Sequence, residues 1–144
     1  MILLDTTVLV YAVGGEHRLR EPCRRVLELG RDGSLRATTT VEVLQEFTHI
    51  RARRSVRSEA VGLARAYADA LGPLSRPEDD DLLEGLALFA DVDALGAFGA
   101  VLGATARRRG WPVASADRGF GRIEGLTHLD PASSTFVEDV LGAG

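Results

Sequence analysis

Three acidic residues of this chain stand where carboxylates could do chemistry: Asp5, Glu46 and Asp117. Asp5 directly follows the apolar run of residues 2–4, and Asp117 directly follows the apolar-rich stretch 111–116. Glu46 lies in a predicted helix whose apolar residues recur at helical spacing, so it shares part of a buried face. Acids in such positions are costly to bury unless they are paired, hydrogen-bonded or bound to a metal ion.

If these three acids meet at one rim, their charges repel strongly unless a cation neutralises them. Ligands that are all oxygen atoms select a hard divalent ion, so we predict Mg²⁺ or Mn²⁺ bound by Asp5, Glu46 and Asp117. Such a site suits phosphodiester hydrolysis, in which the metal activates a water molecule and holds the phosphate. Thr6 and Ser115 could orient these carboxylates or their waters.

Structural interpretations of the same acids stay open. Asp5 or Thr6 could cap the next helix through a side-chain oxygen, and capping is compatible with catalysis. Glu46 could reach solvent from the edge of its apolar stripe. The acidic run 78–81 is better explained as the first turn of a helix, where the dipole favours negative charge, than as a metal site. The three histidines lack ligand spacing, which argues against zinc.

Alternating apolar runs and amphipathic segments predict the elements that must position the acids. A capping box is expected from Thr39 and Glu42. Strands that alternate with helices predict one α/β domain over residues 1–144, with a parallel sheet covered on both faces. Ligands of such sheets bind outside the carboxyl ends of the strands, which is where Asp5 and Asp117 fall. The expected strands are 2–4, 35–38, 111–116 and 126–129, and the expected helices are 6–13, 21–31, 41 to about 54, 58 or 59 to 71, 81–90, 97–109 and 133 or 134 to 141.

Composition narrows the class of protein further. The lone Cys23 excludes an internal disulfide framework and fits a reducing cytoplasm, and we expect it to be structural. No apolar run approaches the roughly 20 residues that a membrane helix needs. The net charge of −4 does not indicate nucleic-acid binding, but all 17 basic residues are arginine, which favours bidentate phosphate contacts. The arginine clusters at 51–57 and 107–109 could bind phosphate or could be solvated helix ends.

Three stretches of the sequence then stand out together: LLDTTVLVYA at the start, EVLQEF around Glu46, and ATARRRGWPVASADRGFGRIEGLTHLDP around Asp117. Together they resemble a PIN-domain ribonuclease, in particular the VapC-type toxin of bacterial toxin–antitoxin pairs. The resemblance implies a PIN-like three-layer fold, with a central parallel sheet flanked by helices, and Mg²⁺- or Mn²⁺-dependent cleavage of RNA. It also implies a homodimer that a cognate VapB-type antitoxin inhibits. By this resemblance Asp5 matches the first acid of the family, Glu46 the second and Asp117 the last.

The family pattern is broken at Gly99, where the resemblance implies another aspartate. The glycine could be natural and tolerated for close packing, at a cost of about 1 kcal/mol relative to alanine. Alternatively, it stands in place of a lost ligand. Asp93 does not compensate on a regular helix, because it lies six residues away, which is not a whole number of turns.

We therefore expect a ribonuclease that is weakened or inactive. The alternative is a catalytically dead toxin form that keeps only antitoxin binding and dimerisation. We expect Arg107, Arg108 and Arg109 to contact the RNA. A phosphatase of the haloacid-dehalogenase type is disfavoured, because Thr7 stands where its motif needs a second aspartate and the chain has no lysine.

Overall fold

The computed structural model describes all residues, 1–144, and contains one sheet of four parallel strands. The order across the sheet is β2-β1-β3-β4. Leu3 of β1 pairs with Thr38 of β2 on one side and with Val113 of β3 on the other. Because β1 and β3 are neighbours and parallel, the residues that follow them meet at the same edge. The strands are β1 Ile2–Leu4, β2 Ala37–Thr38, β3 Val113–Ala114 and β4 His128–Leu129.

Seven α-helices flank this sheet and confirm the predicted α/β class. Among them, α1 packs against α2, α3 against α4, and α5 against α6. No helix combines the length and the apolar character needed to cross a membrane. The helices are α1 Thr6–Ala12, α2 Arg20–Arg31, α3 Val41–Ala52, α4 Arg57–Leu71, α5 Asp79–Asp91, α6 Ala97–Arg109 and α7 Phe136–Ala143, and a short 3-10 helix spans Arg118–Arg122.

Several strand and helix ends differ from the predicted ones. The strands are shorter, because apolar residues such as Leu35, Trp111 and Leu126 pack on the core without pairing. The predicted cap at Thr39 is wrong by one residue. Thr40 accepts a hydrogen bond from the Val43 N–H at 3.2 Å and is the N-cap of α3. Thr39 instead donates to the Leu4 carbonyl at 2.8 Å, which ties the end of β2 to β1.

The core is built on the first strand, whose residues Ile2, Leu3 and Leu4 are fully buried. This agrees with an apolar run that has no polar residue alternating with it. Cys23 of α2 is also fully buried, and this burial raises the pKa of its thiol to about 12. A thiol that stays protonated is a poor nucleophile and metal ligand, so Cys23 is a packing residue.

Helices α5 and α6 approach each other closely because glycine stands at their contact. A Cβ atom at Gly85 would lie 2.6 Å from the Cα atom of Val101, which leaves no room for any larger residue. Ion pairs reinforce this contact from the carboxyl end of α6. Asp81, with 1% of its side chain exposed, lies 2.8 Å from Arg109 and 2.9 Å from Arg108. The acidic run 78–81 therefore begins α5 and attaches it to α6 through Asp81.

The charge of Asp81 is stabilised by its surroundings. Burial raises the pKa of this carboxyl, but the hydrogen bonds from Arg109 and from the Glu78 N–H lower it more. The nearby charges of Arg109 and Arg108 act in the same direction, so the pKa of Asp81 lies below its usual range. A carboxyl with a lowered pKa in the folded state stabilises the protein above its ordinary pKa, and this contribution is lost as the pH falls through the lowered value.

We expect Asp81→Ala to lower the free energy of unfolding by about 3 kcal/mol, because two arginines lose their buried partner. The exposed Asp80, which also contacts Arg108, provides the matched control: Asp80→Ala should cost less than about 1 kcal/mol. Urea unfolding of both variants measures the difference. The deficit of Asp81→Ala should shrink as the pH falls below about 4. Equal losses in the two variants would contradict this assignment.

Candidate active site

The carboxyl edge of the sheet opens into a cleft of about 540 Å³. Asp5, Glu46, Asp117 and Gly99 all line it. An adjoining hollow of about 420 Å³ shares Asp5, Glu46 and Gly99 and extends toward α5. The topology thus brings to one place three acids that lie far apart in the sequence.

Asp5 is held in position by three hydrogen bonds to one of its two oxygens. Its Oδ2 accepts from the Thr7 N–H at 3.2 Å, from the Thr7 hydroxyl at 2.8 Å and from the Ser115 hydroxyl at 2.7 Å. The side chain is buried, with 8% of the residue exposed, and it is also the N-cap of α1. Oδ1 has no hydrogen-bond partner in the protein. The capping role and a free oxygen at the cleft are thus combined in one carboxylate.

Glu46 is half-buried on α3, where the helix passes the start of α1. Its Oε2 accepts a hydrogen bond from the Thr6 hydroxyl at 2.5 Å. The side chain therefore does not reach freely into solvent, and its apolar neighbours Val43 and Phe47 are buried on the same helix. Oε1 is left without a partner. Thr6 holds this second acid toward the cleft.

Asp117 follows β3 and begins the 3-10 helix. Its Oδ1 accepts from the Gly119 N–H at 2.8 Å, and its own N–H donates to the Ser115 hydroxyl at 3.0 Å. Ser115 is fully buried and contacts both the first and the last acid through one oxygen atom. The relative placement of Asp5 and Asp117 is set by this hydroxyl.

The three carboxylates have no cationic side chain as a partner. None of them forms an ion pair, although the chain contains nine. Each uses one oxygen for hydrogen bonds within the protein and leaves the other free. No three acidic, histidine or cysteine side chains are gathered closely enough to form a ready-made metal cage. The cleft is thus an open, anionic site with oxygen donors.

Gly99 lies in the first turn of α6 on the wall of this cleft. A Cβ atom built there would lie 3.4 Å from a Leu95 methyl and 3.6 Å from the Phe120 ring, which are ordinary contacts or close to them. The position therefore has room for a side chain, so close packing does not require glycine. Asp91 and Asp93 do not line the cleft.

The arginines at the end of α6 form ion pairs with acids of α5 and lie away from the cleft. Arg107 pairs with Glu84 at 2.8 Å, while Arg108 and Arg109 pair with Asp81. None of the three lines the cleft. Their contact with RNA stays a prediction that this geometry does not favour, since their charges are already neutralised by α5.

Sequence reasoning did not single out some residues of the cleft. Thr7 donates to Asp5 and accepts from the Ala116 N–H at 2.9 Å, so its hydroxyl joins the residue after β1 to the segment after β3. The two adjacent threonines that follow Asp5, Thr6 and Thr7, are the sequence feature that could have indicated this role. Tyr11 and His17 also line the cleft, and only the folded chain brings them to the acids. Arg54 lines the cleft as well, and it belongs to the arginine cluster 51–57 for which the sequence leaves phosphate binding and a solvated helix end open.

Comparison with known proteins agrees with this architecture. The family model described as "PIN domain" matches residues 2–126. Ribonuclease VapC7 of Mycobacterium tuberculosis is 42% identical over 139 residues, covering 95% of this chain and 96% of the relative. Ribonuclease VapC13 of the same species is 28% identical over 133 residues, covering 90% and 99%. Ribonuclease VapC23, also of that species, is 38% identical over 72 residues, covering 48% and 57%.

Proposed function

The chain belongs to the PIN-domain family, among its VapC-type ribonucleases, and from this premise we propose that it cleaves RNA as the toxin of a toxin–antitoxin pair. The observation that carries the proposal is the cleft itself. Three carboxylates line it without any cationic partner, and each keeps one oxygen free. A phosphodiester is an anion, so it enters such a site only together with a cation.

We assign that cation as Mg²⁺, with Mn²⁺ as the close substitute. The free oxygens of Asp5, Glu46 and Asp117 are hard donors of the kind that these ions prefer. Mg²⁺ keeps several waters and commonly uses only one or two carboxylates, so an open arrangement of acids is compatible with it. When bound, the ion supplies Lewis acidity toward the phosphate and its attacking water.

The protein's own contribution is to hold the three carboxylates in position. Asp5 cannot rotate away, because three donors hold its Oδ2. Thr6 fixes Glu46 and Ser115 links Asp5 to Asp117, so these hydroxyls position the groups that touch the ion.

We further propose that Gly99 replaces an acid that would complete this site. It lines the cleft next to Asp5 and Glu46, and its surroundings accept a side chain. With three acids the ion is held more weakly, so the chain cleaves RNA slowly. The open spacing of the acids also favours the second candidate, a toxin form that has lost catalysis and keeps its protein contacts.

We propose two protein partners, a VapB-type antitoxin and a second copy of the chain in a homodimer. Apolar side chains of α5 and the start of α6 remain exposed and form a surface that protein partners commonly cover. A reducing cytoplasm fits the single buried thiol of Cys23. The exposed side chains are Leu82, Leu83, Leu86, Phe89 and Phe98.

The test is an RNA cleavage assay with the purified chain in Mg²⁺, in Mn²⁺ and in excess EDTA. We expect slow cleavage that requires the ion and returns when the ion is restored after EDTA. Cleavage that persists in EDTA would contradict the metal assignment. If only Gly99→Asp cleaves, the three-acid chain is the catalytically dead form.

A further inference from the structure

Two aromatic rings stack at the mouth of the cleft. Tyr11, in the last turn of α1, lies with its ring centroid 4.6 Å from that of His17, and the two planes differ by 22°. Both residues line the same cleft as Asp5, Glu46 and Asp117. The chain turns back over residues 13–16, and this brings His17 against Tyr11.

A backbone hydrogen bond fixes the orientation of the His17 ring. Its Nδ1 accepts a hydrogen bond from the Leu19 N–H at 3.2 Å, so the neutral ring carries its proton on Nε2. His17 is exposed, while Tyr11 is half-buried and packs against the core. The core does not need an exposed ring at this place. An aromatic pair whose outer ring, His17, is exposed beside the proposed phosphodiester-cleaving centre has the properties of a stacking platform.

A free cation lines the same cleft. Arg54, just beyond the end of α3, is exposed and forms no ion pair. It differs in this from Arg51, which pairs with Glu59, and from the arginines of α6. An unpaired guanidinium is well suited to a phosphate of the RNA backbone.

We propose that Tyr11 and His17 form a stacking platform for a base of single-stranded RNA beside the cleaved bond, and that Arg54 binds a neighbouring phosphate. This rests on the proposed ribonuclease function and adds to it how the substrate is held. The platform requires an unpaired base, because a base inside a duplex is already stacked on its neighbours. The Nε2–H edge of His17 can donate to an acceptor on that base.

The test measures binding of a short single-stranded RNA that carries 2-aminopurine, whose fluorescence is quenched on stacking. Ca²⁺ replaces Mg²⁺ during binding, and a gel verifies that the RNA stays intact. We expect His17→Ala to weaken binding by roughly tenfold and to lose most of the quenching. His49→Ala is the matched control, since His49 is exposed on α3 outside this cleft, and it should bind as the unchanged chain does.

Two further variants separate stacking from loop structure. His17→Phe keeps a ring but removes the acceptor for the Leu19 N–H, whereas His17→Asn keeps an acceptor and removes the ring. Phe should restore binding and quenching, and Asn should not. In cleavage assays His17→Ala should raise KM far more than it lowers kcat. Restoration by Asn rather than Phe would overturn the platform and leave a structural role.

The salt dependence of RNA binding tests whether Arg54 contacts a phosphate. Arg54→Gln should reduce the slope of log Kd against log salt concentration by about 0.7, the value for one phosphate contact on a single strand. Arg53→Gln is the control, because Arg53 is exposed but does not line the cleft. Equal slopes in the two variants would remove Arg54 from the proposal.

The outcomes also separate this inference from the ribonuclease proposal. If the chain or Gly99→Asp cleaves RNA while His17→Ala binds and cleaves like the unchanged chain, the platform is wrong and the ribonuclease stands. If no form binds or cleaves RNA, the ribonuclease proposal fails and the platform fails with it.

Discussion

Replacing Asp5 by asparagine should lower the rate of RNA cleavage by about a thousandfold or more. The carboxylate oxygen Oδ2 receives three donors, so the amide oxygen of asparagine must take its place. The amide NH₂ then occupies the position of the free Oδ1 and presents hydrogen atoms to the cation. Loss of a metal contact that stabilises the transition state by about 4 kcal/mol corresponds to this factor.

The fold should survive this change. Asparagine caps helices as well as aspartate does, and the shape of the side chain is the same. Circular dichroism and thermal unfolding of Asp5→Asn should therefore match those of the unchanged chain. Asp69→Asn is the control for a lost carboxylate, because Asp69 is exposed on α4 and forms no ion pair. If Asp5→Asn cleaves RNA at the rate of Asp69→Asn, Asp5 is only a helix cap.

Introducing an acid at Gly99 should raise RNA cleavage by tenfold or more and tighten the binding of Mn²⁺. The side chain enters space on the cleft wall, because a Cβ atom there meets Leu95 and Phe120 at contact distances of 3.4 Å or more. A further carboxylate near Asp5 and Glu46 increases the negative charge that holds the ion. An acid in the first turn of α6 is also favoured by the helix dipole, so folding should not suffer.

Gly99→Asn separates charge from shape. It has the volume of aspartate and suits a first turn, but it adds no negative charge. We expect Gly99→Asn to cleave RNA no faster than the unchanged chain, so the difference between the two variants isolates the carboxylate. If Gly99→Asp is no faster than Gly99→Asn, the idea that an acid is missing at this position is wrong.

Much of the fold follows from local patterns. The unbroken apolar run before Asp5 predicts a buried strand, and the spacing of Val43 and Phe47 predicts the buried face of α3. The convergence of Asp5 and Asp117 follows from the rule that parallel strands end at the same edge. The sequence predicts strands that are too long, because an apolar residue such as Trp111 packs on the core whether or not its backbone pairs with a neighbouring strand.

Side-chain pairing between distant segments is beyond such patterns. The contact of Thr6 with Glu46 depends on how α3 crosses α1, and the pairs that Arg108 and Arg109 form with Asp81 depend on the close approach of α5 and α6. The family resemblance alone indicates that an acid is missing at Gly99. Only the folded chain shows that Gly99 lies on the wall of the cleft. The stacked rings at the cleft mouth lie in a loop whose path no periodicity predicts.

The central claim is that the free oxygens of Asp5, Glu46 and Asp117 bind a divalent ion. Calorimetric titration of Mn²⁺ into the chain, Asp5→Asn and Gly99→Asp at neutral pH tests it most directly. We predict weak binding to the chain, tighter binding to Gly99→Asp, and none to Asp5→Asn. The same Mn²⁺ affinity in all three forms, or no binding to any of them, would contradict it.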